Sequence, residues 1–475
     1  TGELNKSEQL LHWRKTENSI QLFIHFSQLP AGISRLKVWA VDAGAFCCLD
    51  KTRLNSSLTM DSLPDAIVPC ILVHVTNAKD VASASCVSKR WKDSIPYLNK
   101  LVFPRNIFDN LRNGSPDDII EHMVSSINQL EELVVYCPFT GPGLASWLSM
   151  AGHSLRKLEL KVDDNLIDMD YGSRKLDSIG TATNLESLKL WGVNMTQGPK
   201  WCTFHKLRNL EIVGAVADDA NLNAALMACP NLSNLLLLGC EGPKEVIIEL
   251  PQLEVCNIDF NGLGNCCVIV NSPKLQNLEV QGCSWIRVLE TQLLKSLSIS
   301  NSAGRVNAVD FGKLEALESL VMRGVQWGWN AISKMLQMAS EVKHLFMKVE
   351  FTGDADALQP FPEIDIVDFF NSHPKLVKFD IHGAMFAALC QRNSLKNVDS
   401  RFMIPCLEEV VVTVRSPLNA EQKISTLESL VNYGKKLRKM RIRILQMKSN
   451  HSSTDDFFED ICRFTQTNRR IVSID

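Results

Sequence analysis

One six-residue phrase limits what this chain can become: Leu-x-x-Leu-x-Leu, with Ile, Val, Met or Phe as substitutes. It reads LEELVV from residue 130, LRKLEL from 155, LESLKL from 185, LRNLEI from 207, LSNLLL from 232 and LEVCNI from 253. It continues as LQNLEV from 275, LKSLSI from 294, LESLVM from 317, VKHLFM from 342, LVKFDI from 376, LEEVVV from 407 and LRKMRI from 437. Between Leu207 and Val342 successive copies start 19 to 25 residues apart. The fourth and sixth places alternate with mostly polar residues, which is the period of a short strand with one face inward. A single unit cannot bury that apolar row, so the units must stack.

A period of about 20–29 residues is that of the leucine-rich repeat. The expected fold is therefore α/β: a leucine-rich-repeat solenoid, a horseshoe with parallel strands on its concave face, spanning residues 106–475. Proline in Cys229-Pro-Asn-Leu, Leu250-Pro-Gln-Leu, Ser272-Pro-Lys-Leu and His373-Pro-Lys-Leu ends the preceding segment before the chain enters the next strand. Intervals lengthen to 30–34 residues after Val342, and the unit from Leu155 is also long. The extra chain in 160–176 and 347–365 predicts loops gathered on one rim.

Net charge is −3, which points to neither a nucleic-acid nor a membrane-surface partner. No run approaches the roughly 18 apolar residues of a membrane helix. The fifteen cysteines include no Cys-x-x-Cys pair and the N-terminal stretch has no signal-like apolar core. Reduced thiols in cytoplasm or nucleus are the expectation. Residues 1–59 show no sustained period, and the first methionine is Met60. They read as a poorly ordered leader or extension, with Met60 as the natural start.

Residues 60–105 form a different unit. Ser62 and Pro64 suit a helix start, and Ile67, Ile71, Leu72 and Val75 form an amphipathic stripe. A turn at Asn77–Asp80, with a possible cap at Asp80, leads to a second helix running into Lys89-Arg90-Trp91. Pro69 bends the first helix unless it falls in its first turn. The stretch is too short to stand alone, so it must pack on the solenoid or on a partner.

The ordered set Leu63-Pro64, Ile71-Leu72, Asp80-Val81 and Val87-Ser88-Lys89-Arg90-Trp91 resembles the F-box. Gly239-Cys240 and Gly282-Cys283 resemble the cysteine-containing repeats common in F-box proteins. The whole of 61–475 is similar to plant-type F-box/leucine-rich-repeat proteins. That resemblance implies a small all-α F-box docking the Skp adaptor, which connects to cullin and RING subunits of an SCF-type E3 ubiquitin ligase. The solenoid would bind a protein substrate destined for proteasomal degradation. Leu63, Pro64, Ile67, Ile71, Leu72, Val75, Val81, Val87 and Trp91 would then share adaptor contact and local core. The other reading of this stretch is a helical pair that caps the solenoid.

Strand alternation assigns the outward positions that would meet a substrate. Trp191, Arg323, Lys348, Lys378, His382, Lys439, Arg441 and Arg443 are the candidates, and the basic run 435–443 favours an acidic or phosphorylated partner. Trp327 and Trp329 are further candidate anchors. No catalytic residues, metal or cofactor are expected. Cys202-x5-Arg208 lacks the His and glycines of a phosphatase loop, and no G-x-S-x-G, H-E-x-x-H or zinc-type Cys/His spacing occurs. The expected role is non-catalytic, with a scaffold or a small-molecule co-receptor outside a ligase as alternatives.

Overall fold

A computed structural model of the chain describes residues 67–109, 114–162, 176–196, 198–261, 265–351, 363–392, 402–415, 419–445 and 452–475, plus the strands Gln9–Arg14, Gln21–Gln28, Ser34–Asp42 and Ala45–Cys48. Those four strands pair antiparallel in sequence order.

All thirteen repeat phrases become strands, each starting two residues after the first apolar place, from Glu132 to Lys439. They lie side by side in one parallel sheet of fifteen strands. Neighbouring rungs are in register: Leu188 pairs with Leu210, which pairs with Leu235. Side chains at the fourth and sixth places are no more than 2% exposed in every rung from Leu101 to Ile442. Each such leucine contributes roughly 1.5–3 kcal/mol by leaving water. The stack is therefore held by columns of apolar side chains rather than by any one unit.

Two rungs escaped the sequence reading. Leu98-Asn-Lys-Leu101-Val-Phe103 is a full copy of the phrase, and its strand Lys100–Phe103 pairs with Glu132–Val135. The ladder thus begins at Lys100, ahead of residue 106 and inside the stretch assigned to the helical module. At the other end Val472–Ile474 pairs with the strand Lys439–Ile444, although Arg469 holds the place usually taken by leucine.

Longer units mostly cross the back of the ladder as helices: Gly141–Ala151, Asp219–Met227, Trp329–Met338, Ile366–Ser372, Gly383–Gln391 and Ala420–Tyr433. The 30-residue unit from Leu155 instead shows the 3-10 turn Ser178–Thr181 among its described residues, and the 22-residue unit from Leu185 only the short strand Asn194–Met195. Units starting at Leu232, Leu253, Leu275 and Leu294, 19 to 23 residues long, cross as strands Glu245–Glu249, Cys266–Asn271, Cys283–Val288 and Ala308–Phe311. These form a second parallel sheet. A helix advances about 1.5 Å per residue and a strand about 3.3 Å, so a strand covers the same distance with fewer residues. Gly282 joins the two sheets with φ +80°, where any Cβ would strike the Phe260 carbonyl oxygen. The long insertions fall largely in 163–175 and 352–362, outside the described residues.

The N-terminal module comprises helices Ile67–Leu72, Ala78–Ser85 and Lys89–Lys92 and a 3-10 turn at Ile95–Tyr97. Pro69 falls in the first turn of its helix, where its missing N–H costs little. The cap of the second helix is Asn77, whose side chain accepts from Lys79 N at 3.0 Å; Asp80 sits in the first turn instead. The module is tied to the first rung by Val102 N donating to Thr76 O at 2.8 Å.

Candidate interaction surfaces

In the helical module, burial separates two groups of side chains. Val68, Leu72, Ala78, Val81 and Trp91 are at most 3% exposed and join the core that contains Leu101 and Phe103. Ile71 and Val75 are also buried, at 7% and 9%. These residues hold the module onto the ladder. Val87 at 49%, Val73 at 38% and Tyr97 at 68% face solvent instead. Among the described side chains of the predicted adaptor set Val87 is the one left on the surface, whereas Val81 and Trp91 belong to the core. Leu63 and Pro64 lie outside the described residues, as does the side chain of Ile67.

Parallel, in-register strands convert the outward positions into rows running across the ladder. In the early rungs these rows are charge-matched. Glu132 takes Lys100 at 3.0 Å and Lys157 at 2.7 Å. Burial pushes its carboxyl up, but the two lysines outweigh that and hold it below the usual value. Lys189 lies 3.7 Å from Glu159 and 2.9 Å from Glu211. Tyr136 donates to Glu159 at 2.6 Å; burial and that carboxylate push its hydroxyl up to about 12. Trp191 donates Nε1 to the same Glu159 at 3.2 Å and lies under the Lys189 ammonium. Its indole is therefore committed to the surface network.

The late rungs differ. Ser319, Val321, His344, Phe346, Lys378, Asp380, Glu409, Val411 and Arg441 surround a cavity of about 270 Å³ on the solvent side of the ladder. Register places Val321 beside Phe346, Phe346 beside Asp380, Asp380 beside Val411 and Val411 beside Arg441. Phe346 has the Arg323 guanidinium 4.9 Å from its ring centre and the His382 ring at 5.2 Å.

Of the predicted basic positions, several are already engaged. Lys378 pairs with Glu409 at 3.4 Å, and Arg443 and Arg441 lie 3.6 and 4.0 Å from Asp475. His382 is only 8% exposed rather than outward in solvent, because the chain turns there into the helix Gly383–Gln391. Its Nε2 lies 2.9 Å from Asp380 Oδ1, close enough for an ion pair but not aligned as a hydrogen bond. Arg323 and Lys348 are exposed and adjacent across the sheet; Lys439 is exposed beside Glu409. Trp327 is fully buried, with Nε1 donating to Arg323 O at 2.9 Å, and Trp329 is partly buried against the core. Trp327 therefore does not serve as a surface anchor. The sequence reading overlooked Phe346 and Asp380, because it followed charge in single units and not the middle outward row across units.

Burial pushes the Cys137, Cys229, Cys256 and Cys390 thiols up to about 12, so these are poor nucleophiles. Among the described residues no group of His, Cys, Asp and Glu is arranged to hold a metal ion.

Comparison with known proteins agrees with this architecture. The family described as "FBD-associated F-box protein At5g56370, LRR repeats" matches residues 144–367. F-box protein At1g10780 of Arabidopsis thaliana is 60% identical over 420 residues, covering 88% of this chain and 100% of that protein. F-box/LRR-repeat protein At1g67190 of the same organism is 23% identical over 303 residues, 60% of this chain and 69% of that protein. F-box/FBD/LRR-repeat protein At4g26340, also from Arabidopsis thaliana, is 23% identical over 331 residues, 60% of this chain and 76% of that protein. With a helical module packed on the first rung of a leucine-rich ladder, and with 60% identity over 88% of its length to an F-box protein, the chain belongs to the F-box/leucine-rich-repeat protein family.

Proposed function

We propose that the protein is the substrate-recognition subunit of an SCF-type E3 ubiquitin ligase, non-catalytic itself and working in cytoplasm or nucleus. Its helical module would dock the Skp adaptor, and through it cullin and RING subunits. The solvent face of the ladder would hold a protein substrate near the ubiquitin donor and so raise the effective concentration of its lysines. The observation that carries this reading is the division of labour within the module: one face is consumed by the first rung, while Val73, Val87 and Tyr97 remain outward. A pure end cap has no need of that outward apolar set.

The test is co-purification of the full chain with the Skp adaptor and cullin. Val73→Asp with Val87→Asp should abolish adaptor recovery while leaving thermal unfolding unchanged. Adaptor recovery that persists in this variant, or is lacking with the unaltered chain, would sink the proposal and favour a free-standing scaffold.

A further inference from the structure

Arg323 and Lys348 face solvent as direct cross-strand neighbours, and among the described residues neither has an acidic side chain paired with it. Like charges placed opposite each other weaken a sheet. Elsewhere on this face cations sit against acids, as Lys100 and Lys157 do on Glu132, Lys189 on Glu159 and Glu211, and Lys378 on Glu409. The unmatched pair lies one outward row from the cavity floored by Val321, Phe346 and Val411, with Arg323 held over Phe346.

A second observation points to the same place. Thr413 Oγ1 and Arg441 Nε are buried without a hydrogen-bond partner, while Asp380 Oδ1 and His382 Nε2 have only each other, at 2.9 Å. Thr413 is 2% exposed and His382 is 8% exposed. Asp380 and Arg441 line the cavity; His382 and Thr413 are cross-strand neighbours in the next row. Buried polar atoms normally find partners, and two unfilled ones in adjacent rungs suit a ligand that brings its own polar groups.

We propose that this part of the ladder binds an extended acidic peptide segment, seating one apolar side chain in the cavity and a carboxylate two residues away on Arg323 and Lys348. The spacing follows from geometry. Adjacent outward rows are two strand residues apart, about 6.6 Å, and same-side side chains of an extended peptide repeat at the same distance. The cavity volume suits one side chain rather than an enclosed metabolite.

This inference deepens the reading of the ladder as the capturing surface. It is tested by selecting from a random-peptide display library on the full chain, then measuring enriched peptides by fluorescence anisotropy. No adaptor is needed, so its failure and the failure of Skp co-purification are read separately. Enriched peptides should share apolar-x-Asp/Glu. Arg323→Glu with Lys348→Glu should weaken them by about tenfold or more, and selection on that variant should turn toward Lys or Arg at the same position. Phe346→Ala should remove the apolar preference, whereas Lys157→Glu, in the early rungs, should leave binding unchanged. Enrichment without the acidic residue, affinity indifferent to the charge reversal, or no enrichment over a blank surface overturns the proposal. Capture of phosphoserine peptides but not carboxylate ones, or of oligonucleotides in place of peptides, overturns it equally.

Discussion

His373 shows how a repeat motif recruits a single residue for structure. The imidazole is 3% exposed, with Nδ1 2.7 Å from Phe369 O and Nε2 3.1 Å from Leu336 O. Burial lowers its pKa from the ordinary 6.5, and the two carbonyls only partly offset that. A depressed histidine binds its proton less readily in the fold than in the unfolded chain. Its contribution to stability is therefore complete above pH 6.5 and is lost as pH falls toward the folded value. Denaturant midpoints measured on either side of pH 6.5 should drop on the acid side, and His373→Asn should flatten that slope. Gly282 gives a second residue-scale expectation. Gly282→Ala puts a Cβ against the Phe260 carbonyl at positive φ, so a loss of about 1–3 kcal/mol is expected in equilibrium unfolding.

At the scale of elements, the helical module makes opposite predictions for residues that the F-box resemblance groups together. Trp91 is part of the core shared with the first rung, so Trp91→Ala should cost about 3–5 kcal/mol and loosen the module. Val87→Asp alters a solvent-facing site and should stay within about 0.5 kcal/mol of the parent protein while weakening adaptor binding. Asn77→Ala removes the cap of Ala78–Ser85 and should cost about 1 kcal/mol. Thermal and chemical unfolding of the three variants, read beside adaptor recovery, separates fold from docking. Strand starts in the ladder were legible because the apolar row repeats within six residues. The Lys100–Phe103 rung was hidden only because its phrase adjoins helical sequence and was read as part of it.

For the whole molecule, nearest-neighbour stacking is the governing fact. Each rung has two neighbours except those at the ends, and the last, Val472–Ile474, leaves Ile474 36% exposed. Hydrogen exchange should therefore be fastest at Val472–Ile474 and slowest in the middle rungs. Leu297→Ala, at a site with no exposure and a rung on each side, should cost about 2–5 kcal/mol and raise exchange in both adjoining strands. Uniform exchange from end to end would contradict nearest-neighbour stacking. On the back surface, strands cross in the middle units of 19 to 23 residues and helices in most of the longer ones.

The sequence by itself determined thirteen of the fifteen rungs: where each starts and which side chains enter its core. Both depend on contacts between residues close in the chain or on a repeated period, so local pattern suffices. Only the tertiary structure decided which outward side chains meet. Lys189 reaches Glu159 and Glu211, Arg441 and Arg443 meet Asp475, and Arg323 is left beside Lys348. Likewise it separated Val87 on the surface from Trp91 in the core. Such pairings join residues of different units, and they exist only once parallel registration has turned positions along the chain into rows across the sheet.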